Sequence, residues 1–213
     1  MATPNKLTGN IKTDFSLEVA ELATGLLLIG FLWTHMIFIA TVILGSDFFN
    51  TLSRLMDITY LSYIAVPAVP LLIIIHMVFA ARKVPIRFQE QRKAWGLARD
   101  MRSFEIWTWI FQIITGVAIL ILASVHIWLV SADYPIQAAK SAERIVQLHF
   151  VIFYVALLIF GELHAGLGLY RQFVKWGWFN RCSVNKVIKV IGIFIVGLGI
   201  AALVIFSRLG GAQ

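Results

Sequence analysis

Residues 161–179 read GELHAGLGLYRQFVKWGWF. The first ten close an apolar segment that runs from about 146 to 170; the rest gathers Arg171, Lys175 and several aromatic rings. A helix that crosses hydrocarbon about 30 Å thick needs roughly 20 apolar residues. The segment has that length, yet it holds Glu162 and His164, polar groups for which hydrocarbon has no solvent. Their presence asks what surrounds them.

Four further segments have the same character, at about 22–45, 58–81, 106–130 and 188–207. Hydrophobic residues make up 60% of the 213-residue chain and charged residues only 14%, with mean hydropathy +0.85. A water-soluble domain of this size needs more polar surface, so the bilayer is the expected solvent. The runs are continuous, not short and alternating, which excludes a transmembrane β-barrel. The expected fold is all-α: an integral membrane bundle of five transmembrane helices in a single membrane domain over 1–213.

The formal charge of +7 is unevenly placed. The connections at 82–102 and 171–189 carry twelve of the eighteen basic residues, Arg102 among them; those at 46–57 and 131–145 carry only Arg54, Lys140 and Arg144. By the positive-inside rule the basic connections face the cytoplasm, which puts the N-terminus inside and the C-terminus outside. Charge so distributed marks topology or a docked soluble partner, not nucleic acid. The first 20 residues are polar and lack an apolar core before a cleavage site, so no removable signal peptide is expected. Cys182 is the single cysteine and forms no internal disulfide or iron–sulfur cage. No convincing internal repeat is seen.

Of five histidines, His149 sits at the start of the fourth span, where an interfacial role is ordinary. His35, His76, His126 and His164 lie one each within spans 1 to 4. The rise of 1.5 Å per residue puts His76 and His164 roughly 9–10 Å from the cytoplasmic boundary. His126 and His35 lie about 10 and 18 Å from the outer one, a mismatch that tilt absorbs in part. The pairing by depth is His76 with His164 and His35 with His126. Two imidazoles facing at one depth are what a six-coordinate haem requires, and residues such as Gly25, Gly30, Gly116 and Gly161 leave room for a porphyrin. Zinc fits less well, because the histidines divide between two levels without carboxylates beside them. Structural histidines, and a histidine-lined proton or solute transporter, remain alternatives. With both axial positions filled, such a haem transfers electrons instead of activating oxygen.

Four stretches carry a family resemblance: HMIFIATVILG at His35, HMVFAARKVPI at His76, TGVAILILASVH ending at His126, and GELHAGLGLYRQFVKWGWF at His164. The chain resembles the di-haem cytochrome b subunits of menaquinol:fumarate reductases, in the succinate:quinone oxidoreductase superfamily. The resemblance implies that all four histidines are axial ligands of two haem b groups, His76 and His164 of the proximal haem and His35 and His126 of the distal one. It implies a flavoprotein subunit and an iron–sulfur subunit on the cytoplasmic face of a bacterial inner membrane, with membrane lipid around the bundle. Menaquinol supplies the electrons and fumarate receives them on another subunit. A succinate:menaquinone reductase, or the anchor of another respiratory enzyme, is the alternative within this chemistry, and a dimer of the whole complex stays open.

Residues two apart on a helix point about 200° away from one another, so Glu162 does not orient His164 by direct contact. Its position is similar to that of a proton-pathway glutamate in the family; a packing carboxyl group is the plain alternative. Asp57 is expected to open helix 2, where a helix N-terminus welcomes an acid. Its spacing from His35 matches an acidic quinol-site residue of the family, a proton acceptor from quinol, although glutamate stands there and the shorter side chain has less reach. Trp109 and Lys175 match positions that bind haem propionates; an interfacial tryptophan and a topology charge are the alternatives. The family's polar propionate contacts near the start of helix 1 are replaced by Glu21 and Leu22. Pro67 and Pro70 are expected to kink helix 2.

Overall fold

The computed structural model describes residues 10–85, 87–101 and 104–211. Arg102 and the first nine residues of the polar N-terminal stretch lie outside the described residues.

Five long helices form the bundle: α1 (Ile11–Ala40), α3 (Leu61–Ala81), α5 (Phe104–Ala132), α7 (Leu148–Trp176) and α8 (Arg181–Gly211). A 3-10 turn, Thr41–Leu44, extends α1, and each of the five is long and apolar enough to cross a membrane. The all-α reading holds. The ends differ from expectation, because a helix does not stop where hydrocarbon stops. α1 begins near residue 11 instead of 22, capped by the Asn10 side chain, which accepts from the Lys12 N–H at 3.1 Å. α7 runs on to Trp176, where Gly177 takes a left-handed φ of 67° that ends it.

Three connections are helical: α2 (Ser46–Ile58), α4 (Phe88–Met101) and α6 (Ala138–Ile145). Asp57 therefore sits in the last turn of α2 and does not open the second span. Between them Tyr60 adopts φ 61°, an uncommon left-handed conformation for a side-chain-bearing residue, and α3 starts after it. The assigned helix runs through Pro67 and Pro70.

Packing is densest at the end remote from the basic connections. Val42, Phe49, Ala138, Ala142, Ile145, Ala202 and Phe206 form a closed cluster there, where α2 and α6 cover the ends of α1 and α8. The Ser53 hydroxyl donates to the Ile136 carbonyl at 2.9 Å and the Ala138 N–H to Asn50 Oδ1 at 2.8 Å, so the two short helices also hold one another. Along the bundle wall large apolar side chains face outward, Leu27, Ile121 and Ile193 being 62%, 61% and 74% exposed. In water such a surface is a liability, whereas in lipid it is the solvated face. Along the axis a cavity of about 1430 Å³ opens between the helices.

Candidate haem-binding cavity

All four span histidines line this cavity, at two levels. Near the basic end are His76 of α3 and His164 of α7, which line the same cavity. Near the far end, His35 of α1 and His126 of α5 have ring centroids 6.0 Å apart. Two imidazoles that share one metal across bonds of about 2 Å have ring centres about 6 Å apart, so this separation suits a shared ligand. The structure brings His35 and His126 face to face and sets His76 and His164 in the same cavity toward its basic end.

Each level has its own surroundings. At the basic end, the Thr24 hydroxyl lies 3.0 Å from His76 Nδ1 and the Thr115 hydroxyl 3.2 Å from His164 Nδ1. The adjacent Gly25 and Gly116 leave their helices bare against the same rings. A Cβ on Gly25 would stand 3.2 Å from His76 Cε1, and one on Gly116 3.1 Å from His164 Cε1. The Gln112 amide nitrogen donates to the His164 carbonyl at 3.2 Å and lies 3.4 Å from His164 Nε2. At the far end the rings meet aromatic neighbours. Phe31 stacks on His35 at 5.5 Å and Tyr154 stands edge-on to His126 at 5.6 Å. His126 Nδ1 is buried with no hydrogen-bond partner.

Glu162 is buried between the levels, facing α1 and α8. The Trp33 indole N–H donates to its Oε2 at 3.3 Å, and a Cβ on Gly192 would lie 3.2 Å from its Oε1. A glutamate in a span is thus given a donor on one side and space on the other, as burial of a polar group requires. Trp109 and Lys175 both line the basic end of the cavity. Lys175 pairs there with Glu18, which also binds Lys83 at 2.7 Å; Lys83 lies 2.7 Å from Glu21 as well. The acids near the start of helix 1 are therefore matched by cations from α7 and from the chain just after α3, which sequence alone does not show.

Asp57 does not line the cavity. Two tyrosines that do, Tyr63 and Tyr134, stand beside it, their rings 5.7 Å apart. The Tyr134 oxygen is covered and lacks a hydrogen bond of ordinary geometry. The neighbouring Tyr63 hydroxyl, then burial of the oxygen and the Asp57 carboxylate, hold this phenol well above the usual tyrosine pKa. Arg144 was also missed by sequence reading. Its guanidinium, only 13% exposed, binds Asp133 and donates to the Tyr154 hydroxyl at 3.0 Å, one ring away from His126. Its place in a short polar connection hid it.

Among the described residues no group of three or more His, Cys, Asp or Glu side chains converges on a metal position. The donors come in twos, with apolar space and helix-borne glycines around them. That set fits a planar macrocycle held by two axial nitrogens better than a bare ion, which takes three or four protein ligands. The fit has one obstruction: the Gln112 amide fills the position that a metal on His164 Nε2 takes, and its side chain must turn aside.

Comparison with known proteins agrees. A fumarate reductase cytochrome b subunit of Helicobacter pylori (strain ATCC 700392 / 26695) is 28% identical over 196 residues, which span 86% of this chain and 77% of that protein. The protein of the same description from Wolinella succinogenes is 29% identical over 208 residues, 90% of this chain and 81% of its own length. The profile of the succinate dehydrogenase/fumarate reductase transmembrane subunit family matches residues 89–206, which carry His126, Glu162 and His164. That match covers more than half of the sequence and, with five apolar helices around paired histidines, shows that this multi-pass membrane protein belongs to the succinate dehydrogenase/fumarate reductase transmembrane subunit family.

Proposed function

We propose that this chain is the di-haem cytochrome b subunit of a menaquinol:fumarate reductase. What supports the reading is that four span histidines line one cavity, His35 and His126 with ring centroids 6.0 Å apart toward one end and His76 and His164 toward the other. His76 and His164 hold the haem at the basic end, and His35 and His126 the one at the far end. When bound, each supplies a one-electron step at its iron. The basic end faces the cytoplasm, where an iron–sulfur subunit docks and relays electrons to fumarate on a flavoprotein. Menaquinol oxidised to menaquinone releases two electrons and two protons, and fumarate takes up two of each to become succinate.

The chain's own residues supply sites for protons and charge. Asp57 accepts protons from quinol at the far end, and the Tyr134 hydroxyl between carboxylate and cavity bridges the reach that its short side chain lacks. Glu162, held by Trp33, takes up and releases the protons that accompany charge movement between the levels. Trp109 and Lys175 at the basic end, and the largely covered Arg144 guanidinium at the far end, would hold the carboxylates of the prosthetic groups. The intact complex is tested by a reduced-minus-oxidised spectrum together with fumarate reduction driven by menaquinol. Two b-type components and quinol-driven turnover are expected; a colourless chain made with ample haem supply sinks the proposal.

A further inference from the structure

The basic-end histidines owe their orientation to a short element that occurs twice. TGLLLIGFLWTH at 24–35 and TGVAILILASVH at 115–126 share Thr-Gly followed by His eleven positions after the threonine. Eleven residues make about three helical turns, so threonine and histidine share one helix face, the glycine standing about 100° round from the threonine, with roughly 16 Å between the levels. α1 and α5 thus each supply a far-end histidine, and each also presents Thr-Gly to a basic-end histidine on a neighbouring helix.

Proton placement at the basic end follows from oxygen contacts. The Thr24 hydroxyl lies 2.8 Å from the Ala20 carbonyl oxygen, and the Thr115 hydroxyl 2.7 Å from that of Phe111. Two oxygens that close need a proton between them, and a carbonyl has none to give. Each hydroxyl proton is therefore committed to its own helix, and toward imidazole the oxygen can only accept. It follows that His76 and His164 carry their proton on Nδ1 and turn an unprotonated Nε2 to the cavity. The Gln112 amide, a donor, lies beside His164 Nε2, as that tautomer requires. At the far end His126 Nδ1 has no such acceptor.

From this we infer that Thr24 and Thr115 are positioning residues: they fix the tautomer and ring angle of His76 and His164, and they set the basic-end haem apart from the far-end haem. The inference rests on the di-haem reading above. An imidazole whose N–H is donated to an acceptor is the stronger base, and it favours the ferric over the ferrous state of a ligated iron.

The test is a redox titration of the intact complex, followed at the visible α-band and by the low-temperature electron paramagnetic resonance of each ferric component. Thr115→Val and Thr24→Val keep the side-chain shape and remove the hydroxyl acceptor, leaving the backbone contacts of His164 with Gln112 and of His76 with Glu21. Each is expected to raise the midpoint of one component by about tenfold in the ferric/ferrous ratio, or about 59 mV for one electron. That component is the one lost in a His76→Ala complex. Thr115→Ser, which restores a hydroxyl, should return the midpoint and the resonance close to wild type. A two-haem complex whose valine variants titrate like wild type, or move the component lost in His35→Ala, overturns this inference alone. A wild-type complex without two haems overturns the proposed function, and this inference with it.

Discussion

The two ends of the cavity surround their histidines with different chemistry. At the basic end the imidazoles are met by hydroxyls, by glycines that let helix backbones approach, and by a rim of Glu18, Glu21, Lys83 and Lys175. At the far end they are met by Phe31 and Tyr154, with the Arg144–Asp133 ion pair behind them. Hydrogen bonds constrain both angle and proton placement, whereas aromatic packing restricts motion and leaves His126 Nδ1 without a partner among the described residues. One ligand type therefore gives two sites of different character. The side chains that differ lie mostly on the facing helices, not beside the histidines in sequence.

The largest expected effect tests whether two separate levels exist at all. His76→Ala is expected to remove one b-type component and His35→Ala the other, with quinol-driven fumarate reduction falling at least about 100-fold in both. Pyridine-haem content and the difference spectrum check this. Loss of the same component in both variants breaks the pairing. Next comes the glycine cradle. Gly116→Val adds branches to a Cβ already 3.1 Å from His164 Cε1. With little slack in such a contact, basic-end haem content should fall to about half or less while the far-end component stays. Equal loss of both components would show that the two levels fold as one unit.

Between the levels, Glu162→Gln is expected to leave both spectral components intact and lower quinol-driven turnover about 100-fold, the low end of the usual range for a lost proton-transfer group. Trp33→Phe removes only the indole donor to Glu162, a hydrogen bond of about 1 kcal/mol net, so about a fivefold drop is expected. Asp57→Asn should impair quinol oxidation while reduction of the haems by small dyes proceeds. Steady-state assays with menaquinol and with dye separate these cases, and turnover unchanged in Glu162→Gln returns that residue to packing.

Much of this architecture was legible because bilayer thickness is a strict constraint. Five runs of the right length and the histidine depths followed from counting residues. Helix ends were less legible, since α1 and α7 continue into the polar region on caps and interfacial side chains. Asp57 was misplaced for a related reason: α2 is amphipathic and too short to span, so the acid looked like the start of the next span. Thr24 and Thr115 were invisible for another reason. A threonine in an apolar helix commonly returns its hydroxyl to its own backbone, and these two do so as well. Only a neighbouring helix reveals the second use of the oxygen, and with it the repeated Thr-Gly and histidine spacing that a search for long repeats passes over. Glu18 with Lys175 and Glu21 with Lys83 are likewise hidden, being far apart in sequence.

The smallest effect separates charge from hydrogen bonding at the basic end. Lys175 lines the cavity, but its side chain is 46% exposed and its ammonium group is already paired with Glu18. A cation near a reducible centre favours the reduced state, so Lys175→Gln should lower the midpoint of the basic-end component, opposite in sign to Thr115→Val. Exposed pairs of this kind contribute about 0–1 kcal/mol and are screened by salt. The shift should therefore be a fraction of the 59 mV that corresponds to tenfold, and it should shrink further in high salt. The far-end component, next to Arg144 instead, should not move. A shift as large as the threonine one, or one that salt leaves alone, would mean that Lys175 is held dry against the prosthetic group and that charge sets the two ends apart as strongly as proton placement does.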